Sequence, residues 1–181
     1  TEVDAEPVED VDIAVELFSA GAITECDGDD FCLEESFREG WLARADEFAE
    51  DDALREAART FYDVDEGAEI EFDPLGPSFT VLVDDGKWGN YPSRAAFLAE
   101  TAGAAMLSET HPEWEAFSLP AQSEILAGLR LFMDTCPACG GPATLGEEVT
   151  ESCCRDIHIV AVACEDCDSR LFEIEQFGEF D

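Results

Sequence analysis

Two short cysteine pairs near the end of the chain constrain its fold more than any other feature. Each pair encloses two residues, as Cys136-Pro-Ala-Cys139 and Cys164-Glu-Asp-Cys167, and 24 residues separate the two pairs. A CxxC turn lets two thiolates converge on one metal ion, and two such turns complete a tetrahedral four-thiolate site. The spacing therefore predicts that residues 140–163 leave the first turn and return as a hairpin.

This pattern resembles a zinc ribbon, and the resemblance covers residues 134–177. It implies a structural Zn²⁺ ion with four ligands, which are Cys136, Cys139, Cys164 and Cys167. The alternatives for the same residues are iron in a rubredoxin-like site and incidental thiols or disulfides. Similar ribbons occur in archaeal transcription and translation factors, so such a role is implied by analogy.

Hydrophobic alternation predicts three strands in this module, over residues 142–151, 156–163 and 170–177. The strand from Cys154 to Cys164 spans about 33 Å at the usual rise per residue. The adjacent cysteines Cys153 and Cys154 are therefore expected at the tip of the hairpin, away from the metal.

Two further cysteines, Cys26 and Cys32, flank an acidic turn. The default interpretation of such residues is small, buried, apolar thiols. One alternative is a second zinc site built from Cys26, Cys32, Cys153 and Cys154, and another is a redox-active disulfide between Cys153 and Cys154. The sequence thus predicts one zinc ion per chain, or two under the first alternative.

The rest of the chain predicts an α+β fold. Residues 1–133 contain five segments of helical periodicity and strand alternation around residues 70–83, which indicates helices around a small antiparallel sheet. Residues 134–181 form the zinc-ribbon module. The last helix runs into Cys136 without a linker, so we expect the ribbon to be docked on the helices.

The charge of the chain is strongly acidic and evenly spread. The 45 acidic and nine basic residues give a net charge of −36, and Lys87 is the one lysine. Such an acidic coat resembles the proteins of haloarchaea that accumulate salt, because molar salt screens self-repulsion over a Debye length of about 3 Å. The alternative is an acidic partner or nucleic-acid mimic that binds a basic molecule.

The same composition limits partners and location. Nucleic acid is expected only indirectly or in high salt, since the sequence has no basic patch. No run of about 18 apolar residues occurs, so no membrane partner is expected. The first residues are acidic where a leader would be basic, which favours the cytoplasm.

Candidate partner contacts lie in two places. Lys87, Trp88 and Tyr91 place an aromatic pair beside a lysine, which could stack on a base, hold a peptide or cover the sheet edge. Arg155, near the expected hairpin tip, could anchor a carboxylate or phosphate or pair with a neighbouring acid. His158, between two isoleucines, is interpreted as a packed or rim histidine, with catalysis as the alternative.

Two classes of function remain. The first is a non-enzymatic zinc-ribbon binding or regulatory protein of a halophile, acting through protein or nucleoprotein partners in transcription or translation. The second is a thiol- or metal-dependent enzyme or redox protein that uses Cys153, Cys154 and His158. The first is favoured because four cysteine ligands leave the metal no open position. No catalytic residue is assigned, and the GxGxxG, P-loop, HExxH and GxSxG signatures do not occur.

Overall fold

The computed structural model describes residues 10–74, 78–153 and 155–177, without the side chains of residues 152, 155, 176 and 177. Over these ranges the chain has an α+β fold. The helices are α1 (Ile13–Ser19), α2 (Glu35–Glu47), α3 (Asp51–Tyr62), α4 (Arg94–Thr110) and α5 (Leu119–Leu131). The strands are β1 (Ile23–Glu25), β2 (Phe31–Leu33), β3 (Ile70–Asp73), β4 (Phe79–Val83), β5 (Gly86–Tyr91), β6 (Ala143–Ser152), β7 (Arg155–Cys164) and β8 (Arg170–Phe177). None of the described helices is long and apolar enough to cross a membrane.

The strands form three antiparallel sheets, in the orders β1-β2, β3-β4-β5 and β6-β7-β8. Helix α4 is the centre of the core, because it contacts α2, α3, α5 and β8 and most of its residues are buried. Its Phe97 ring lies 4.9 Å from the Tyr91 ring and 5.7 Å from the Phe79 ring. Aromatic packing therefore attaches the middle sheet to α4.

Capping residues explain most helix boundaries. The hydroxyls of Ser93 and Ser118 accept backbone N–H bonds at the starts of α4 and α5, which is typical of serine at an N-cap. Helix α3 is different, because its N-cap residue is Glu50, whose side chain makes no capping hydrogen bond, and neither Asp51 nor Asp52 is the cap. Both aspartates instead lie in the first turn, where the helix dipole stabilises negative charge.

A short hairpin, β1–β2, differs from the sequence-based interpretation of its cysteines. Cys26 and Cys32 form a disulfide, with 5.8 Å between their Cα atoms. Cys32 is exposed, so the expectation of buried thiols is wrong. The pairing of Thr24 with Cys32 brings the two cysteines together across the hairpin. Since a disulfide sulfur is not a thiolate ligand, this pair does not supply a second zinc site.

The C-terminal sheet is docked on the helices, as expected. Strand β8 contacts α4 and α5, and its Leu171 belongs to the same buried cluster as Leu129 of α5. The Ser93 hydroxyl donates a hydrogen bond to the Arg170 carbonyl, and Arg130 Nη1 donates one to the Leu171 carbonyl at 2.7 Å. The two parts of the chain therefore share one core.

A buried ion pair lies beneath this contact. Glu100 is 2% exposed, and its Oε1 lies 3.6 Å from Arg130 Nη2. Burial raises the pKa of Glu100, and attraction to Arg130 and a hydrogen bond from Tyr91 oppose that rise only in part. Among the described residues, Glu100 Oε2 and Arg130 Nε have no hydrogen-bond partner. Each charge therefore depends on the other for compensation.

Replacing Arg130 is expected to destabilise the protein much more than removing the whole pair. Arg130→Leu leaves a buried, uncompensated carboxylate and should lower the free energy of unfolding at pH 7 by about 3–5 kcal/mol. The double variant Arg130→Leu/Glu100→Leu should recover most of this loss. Denaturant unfolding followed by circular dichroism measures both.

The pH dependence gives an independent check on the same variant. Because the folded-state pKa of Glu100 is raised, its contribution to stability is present at low pH and is lost as the pH rises through that pKa. Arg130 lowers this pKa, so its removal raises the pKa further, and the deficit of Arg130→Leu should shrink as the pH is lowered from 7. Arg55→Leu is the matched control, because Arg55 pairs with the exposed Asp52 and lies over the Phe72 ring without compensating a buried charge, so its loss should cost about 1 kcal/mol. A double variant as unstable as Arg130→Leu would contradict the interpretation.

Candidate metal centre

The first cysteine pair lies in a tight turn between α5 and β6. The Gly140 N–H donates to the Cys136 carbonyl at 2.9 Å, and the Cys136 N–H donates to the Gly141 carbonyl at 2.8 Å. Gly140 has a φ of +78°, a left-handed conformation that glycine adopts without strain. The Gly141 N–H donates to Cys139 Sγ at 3.4 Å. The turn thus points the Gly141 N–H group at the sulfur of its second cysteine, Cys139.

The second pair, between β7 and β8, repeats this arrangement. The Asp168 N–H donates to the Cys164 carbonyl at 3.0 Å, and the Cys164 N–H donates to the Ser169 carbonyl at 2.9 Å. Asp168 takes the place of Gly140 with a φ of +60°, which aspartate tolerates better than most residues. Ser169 takes the place of Gly141, and its hydroxyl lies 3.2 Å from Cys167 Sγ.

Strand pairing brings the two turns together. Ala143, which follows the first turn, pairs with Cys164 at the start of the second. The Glu165 N–H also donates to the Pro142 carbonyl at 2.9 Å. The hairpin predicted from the spacing of the cysteines is therefore present, and it returns the chain to the first turn.

The four cysteine sulfurs form a compact cluster within 4.8 Å of one another. The distance from Cys136 Sγ to Cys167 Sγ is 3.8 Å, and that from Cys139 Sγ to Cys164 Sγ is 3.4 Å. Among the described residues, no other group of three or more cysteine, histidine or acidic side chains has metal-binding geometry. The cluster is therefore a candidate metal site with four sulfur ligands.

The sulfurs differ in burial and in acidity. In each turn the first cysteine is buried and the second is exposed. Burial raises the pKa of Cys136 to about 12, although the N–H groups of Ala138 and Cys139 oppose the rise. Hydrogen bonds from the Ser169 hydroxyl and N–H lower the pKa of Cys167 to about 6. A metal ion must displace the proton of Cys136, so metal affinity should fall as the pH falls.

The donor set suits a metal that stabilises the fold. Four protein sulfurs fill a tetrahedral shell and leave no position for water or substrate. Cys136 and Cys164 belong to the same buried cluster as Leu129 and Leu171. An ion bound here would therefore link the two turns directly to the core of the helical part.

The vicinal cysteines lie at the other end of the hairpin. Ser152 pairs with Arg155, so the chain reverses between them, and Cys153 is exposed in that turn. Cys153 does not belong to the four-sulfur cluster, which confirms its predicted place at the tip. Cys154 lies outside the described residues, as does the Arg155 side chain. The redox and partner-contact hypotheses for these residues stay predictions.

The aromatic segment of β5 is only partly as predicted. Tyr91 is 8% exposed and packs on Phe97, so its prediction as an exposed partner contact is wrong. Lys87 and Trp88 are exposed, and the Trp88 ring contacts the Tyr62 ring edge-on at 5.5 Å. A role for Lys87 and Trp88 in partner binding stays a prediction.

His158 is half-buried on β7, opposite Val149, which agrees with a rim position.

Sequence reasoning missed two groups that matter to the cluster. One is Ser169, whose hydroxyl and N–H face the Cys167 sulfur. Aligning the two turns position by position would have found it, because Ser169 follows Cys167 as Gly141 follows Cys139. The other is Arg130, which donates a hydrogen bond to the Leu171 carbonyl of β8. No sequence pattern indicates this contact.

The fold and the cluster define an α+β protein with a C-terminal four-cysteine module. The chain belongs to a family described as "Family of unknown function (DUF8054)", whose central-domain model matches residues 12–131 and whose C-terminal-domain model matches residues 134–174. No curated protein and no solved structure matches the chain.

Proposed function

We propose that this chain is a non-catalytic zinc protein whose ribbon presents a sheet surface to a protein partner. The observation that carries the proposal is the closed set of four cysteine sulfurs. A catalytic zinc site keeps one coordination position for water or substrate, whereas a structural site fills all four with protein ligands.

Zinc accounts well for the geometry of the cluster. Sulfurs at about 2.3 Å from a tetrahedral ion lie about 3.8 Å from one another. The sulfur distances here include 3.8 Å for Cys136–Cys167 and 3.4 Å for Cys139–Cys164, and none exceeds 4.8 Å, so they scatter around that value. Iron in the same four-sulfur geometry is the competing ion. We infer one zinc per chain, because Cys26 and Cys32 are bonded to each other.

Elemental analysis should therefore give one zinc and no stoichiometric iron per chain. Cys139→Ser should lose the zinc and unfold residues 136–177, since metal binding supplies on the order of 10 kcal/mol of folding free energy in such modules. Cys153→Ser is the matched control and should keep both zinc and fold. Stoichiometric iron with a visible charge-transfer band, or zinc loss in the control, would contradict the assignment.

A partially apolar sheet face supports the interaction role. Leu145 and Val149 of β6 are 63% and 58% exposed, and Ile174 of β8 is 47% exposed. Leu145 pairs with Val162, and Ile174 pairs with Val160, so both lie on the same face of the sheet. Neighbouring exposed apolar side chains of this kind mark protein-binding surfaces. That the partner belongs to the transcription or translation machinery rests on the resemblance to zinc ribbons.

The partner proposal predicts a specific loss on changing this face. The full chain should recover a stoichiometric protein from lysates of its source organism in high salt, identified by mass spectrometry. Leu145→Ser/Val149→Ser should abolish that recovery with zinc content unchanged. The matched control is Val15→Ser/Phe18→Ser on α1, where the side chains are each 54% exposed. Loss in the control alone would move the interface to α1, and unchanged recovery in both variants would reject the sheet face.

The acidic coat supports a halophilic origin. Seven arginines with described side chains each contact a carboxylate or backbone carbonyl of the chain, so few cations are left to offset a net charge of −36. The uncompensated carboxylates repel one another at low ionic strength, and salt screens that repulsion.

The folded state should therefore depend on salt. We expect cooperative unfolding at a much lower temperature in about 0.1 M than in about 3 M potassium chloride, because the Debye length falls from about 10 Å to below 3 Å. Circular dichroism of the zinc-loaded chain measures the two melting temperatures. Equal values in both solutions would remove the halophilic interpretation and favour an acidic binding protein.

A further inference from the structure

A large open cleft lies in the helical part, away from the four-cysteine cluster. Its volume is about 1080 Å³, at the upper end for small-molecule sites, and α3 and α4 form its two long sides. The segment from Trp114 to Gln122 closes one end, and the C-terminal end of α2 contributes Phe48.

One part of the cleft wall is apolar and partly aromatic, and the rest is polar. Phe48, Phe61, Trp114 and Phe117 line it together with several alanines of α3 and α4. Small side chains at these helix positions keep the space between the helices open. An apolar body of aromatic size is the kind of group that such walls bind.

Three hydroxyls in the cleft, those of Thr60, Thr101 and Ser108, offer acceptors and not donors. Thr60 donates its hydroxyl hydrogen to the Glu56 carbonyl, Thr101 to the Phe97 carbonyl, and Ser108 to the Ala105 carbonyl. Each hydroxyl oxygen keeps its lone pairs for a ligand, but its only hydrogen is already used. At these three positions the ligand therefore has to bring the hydrogen-bond donor.

The charges around the cleft favour the same kind of ligand. Five acidic side chains line it, which are Glu47, Glu56, Asp63, Glu109 and Glu115. Arg44 is the one cation among the described lining residues, and its guanidinium already pairs with Glu109 and Glu47. Asp63 and Glu115 form no ion pair among the described side chains, so they are the carboxylates left for a ligand.

We propose that this cleft binds a small organic amine with an aromatic or similarly apolar body. The apolar walls take the body, and the hydroxyl oxygens and carboxylates accept the hydrogen bonds of the ammonium group. The proposal does not rest on the metal site, because none of the four cysteines lines the cleft.

Three indole probes of similar size and different charge test the proposal. Tryptamine is a cation, tryptophol is neutral and indole-3-propionate is an anion. Each is titrated into the full zinc-loaded chain in potassium chloride and followed by calorimetry and by NMR. Tryptamine should bind one-to-one and about tenfold or more tightly than the anion, since hydrogen bonds to a charged group favour it. The neutral alcohol should fall between them.

Matched variants locate the binding. Ala57→Phe fills the cleft from α3 and should abolish tryptamine binding, whereas Ala43→Phe on the exposed side of α2 should leave it unchanged. Asp63→Asn/Glu115→Gln should bring tryptamine and tryptophol to within about twofold of each other. The surface control Glu39→Gln/Glu124→Gln should keep their difference.

Three results would overturn the proposal. One is no saturable binding of tryptamine to the folded wild-type chain. Another is equal affinity for the cation and the anion, which would reject the cation preference. The third is unchanged tryptamine binding in Ala57→Phe, with circular dichroism showing that the variant is folded, since binding would then lie outside the cleft.

Discussion

The folded state depends on limiting the repulsion among its many carboxylates. The chain has 45 acidic residues and nine basic ones. Every arginine with a described side chain connects separate parts of the fold, and these are Arg38, Arg44, Arg55, Arg59, Arg94, Arg130 and Arg170. A guanidinium can bond two acceptors at once in a fixed plane, whereas an ammonium is a compact point charge. The scarce cations thus serve as cross-links, which gives a physical reason for the near absence of lysine.

The local geometry of the metal module could be predicted from sequence because its determinants are local. The CxxC turns and the alternation of apolar residues are patterns of neighbouring residues, and they predict the ends of β6, β7 and β8 to within one residue. The repeated hydrogen bonds around Cys136 and Cys164 follow from the turn itself. Because β6 and β7 are each ten residues long and run antiparallel, the tip of their hairpin lies far from the four-cysteine cluster.

The features that escaped prediction depend on contacts between distant segments. Tyr91 follows a loop-like sequence, yet it is buried because Phe97 of the next helix packs on it. The Glu100–Arg130 pair joins residues 30 positions apart on two helices, and no periodicity distinguishes Glu100 from the other acids. The cleft exists because small residues of α3 and α4 face each other, which a sequence reveals only after the packing of the helices is known.

Desolvation couples the folding of the two parts of the chain. The Arg130 guanidinium is buried between Glu100, the Tyr91 ring and the Leu171 carbonyl, and only the last of these belongs to the C-terminal module. If the module unfolds on metal loss, Arg130 loses the Leu171 carbonyl as a hydrogen-bond acceptor, while Glu100 stays in an apolar environment. A buried charge with fewer partners is destabilising, so part of the free energy of metal binding stabilises the helical core. The compensation of a buried charge therefore adds to the coupling that Cys136 and Cys164 provide by packing in the shared core.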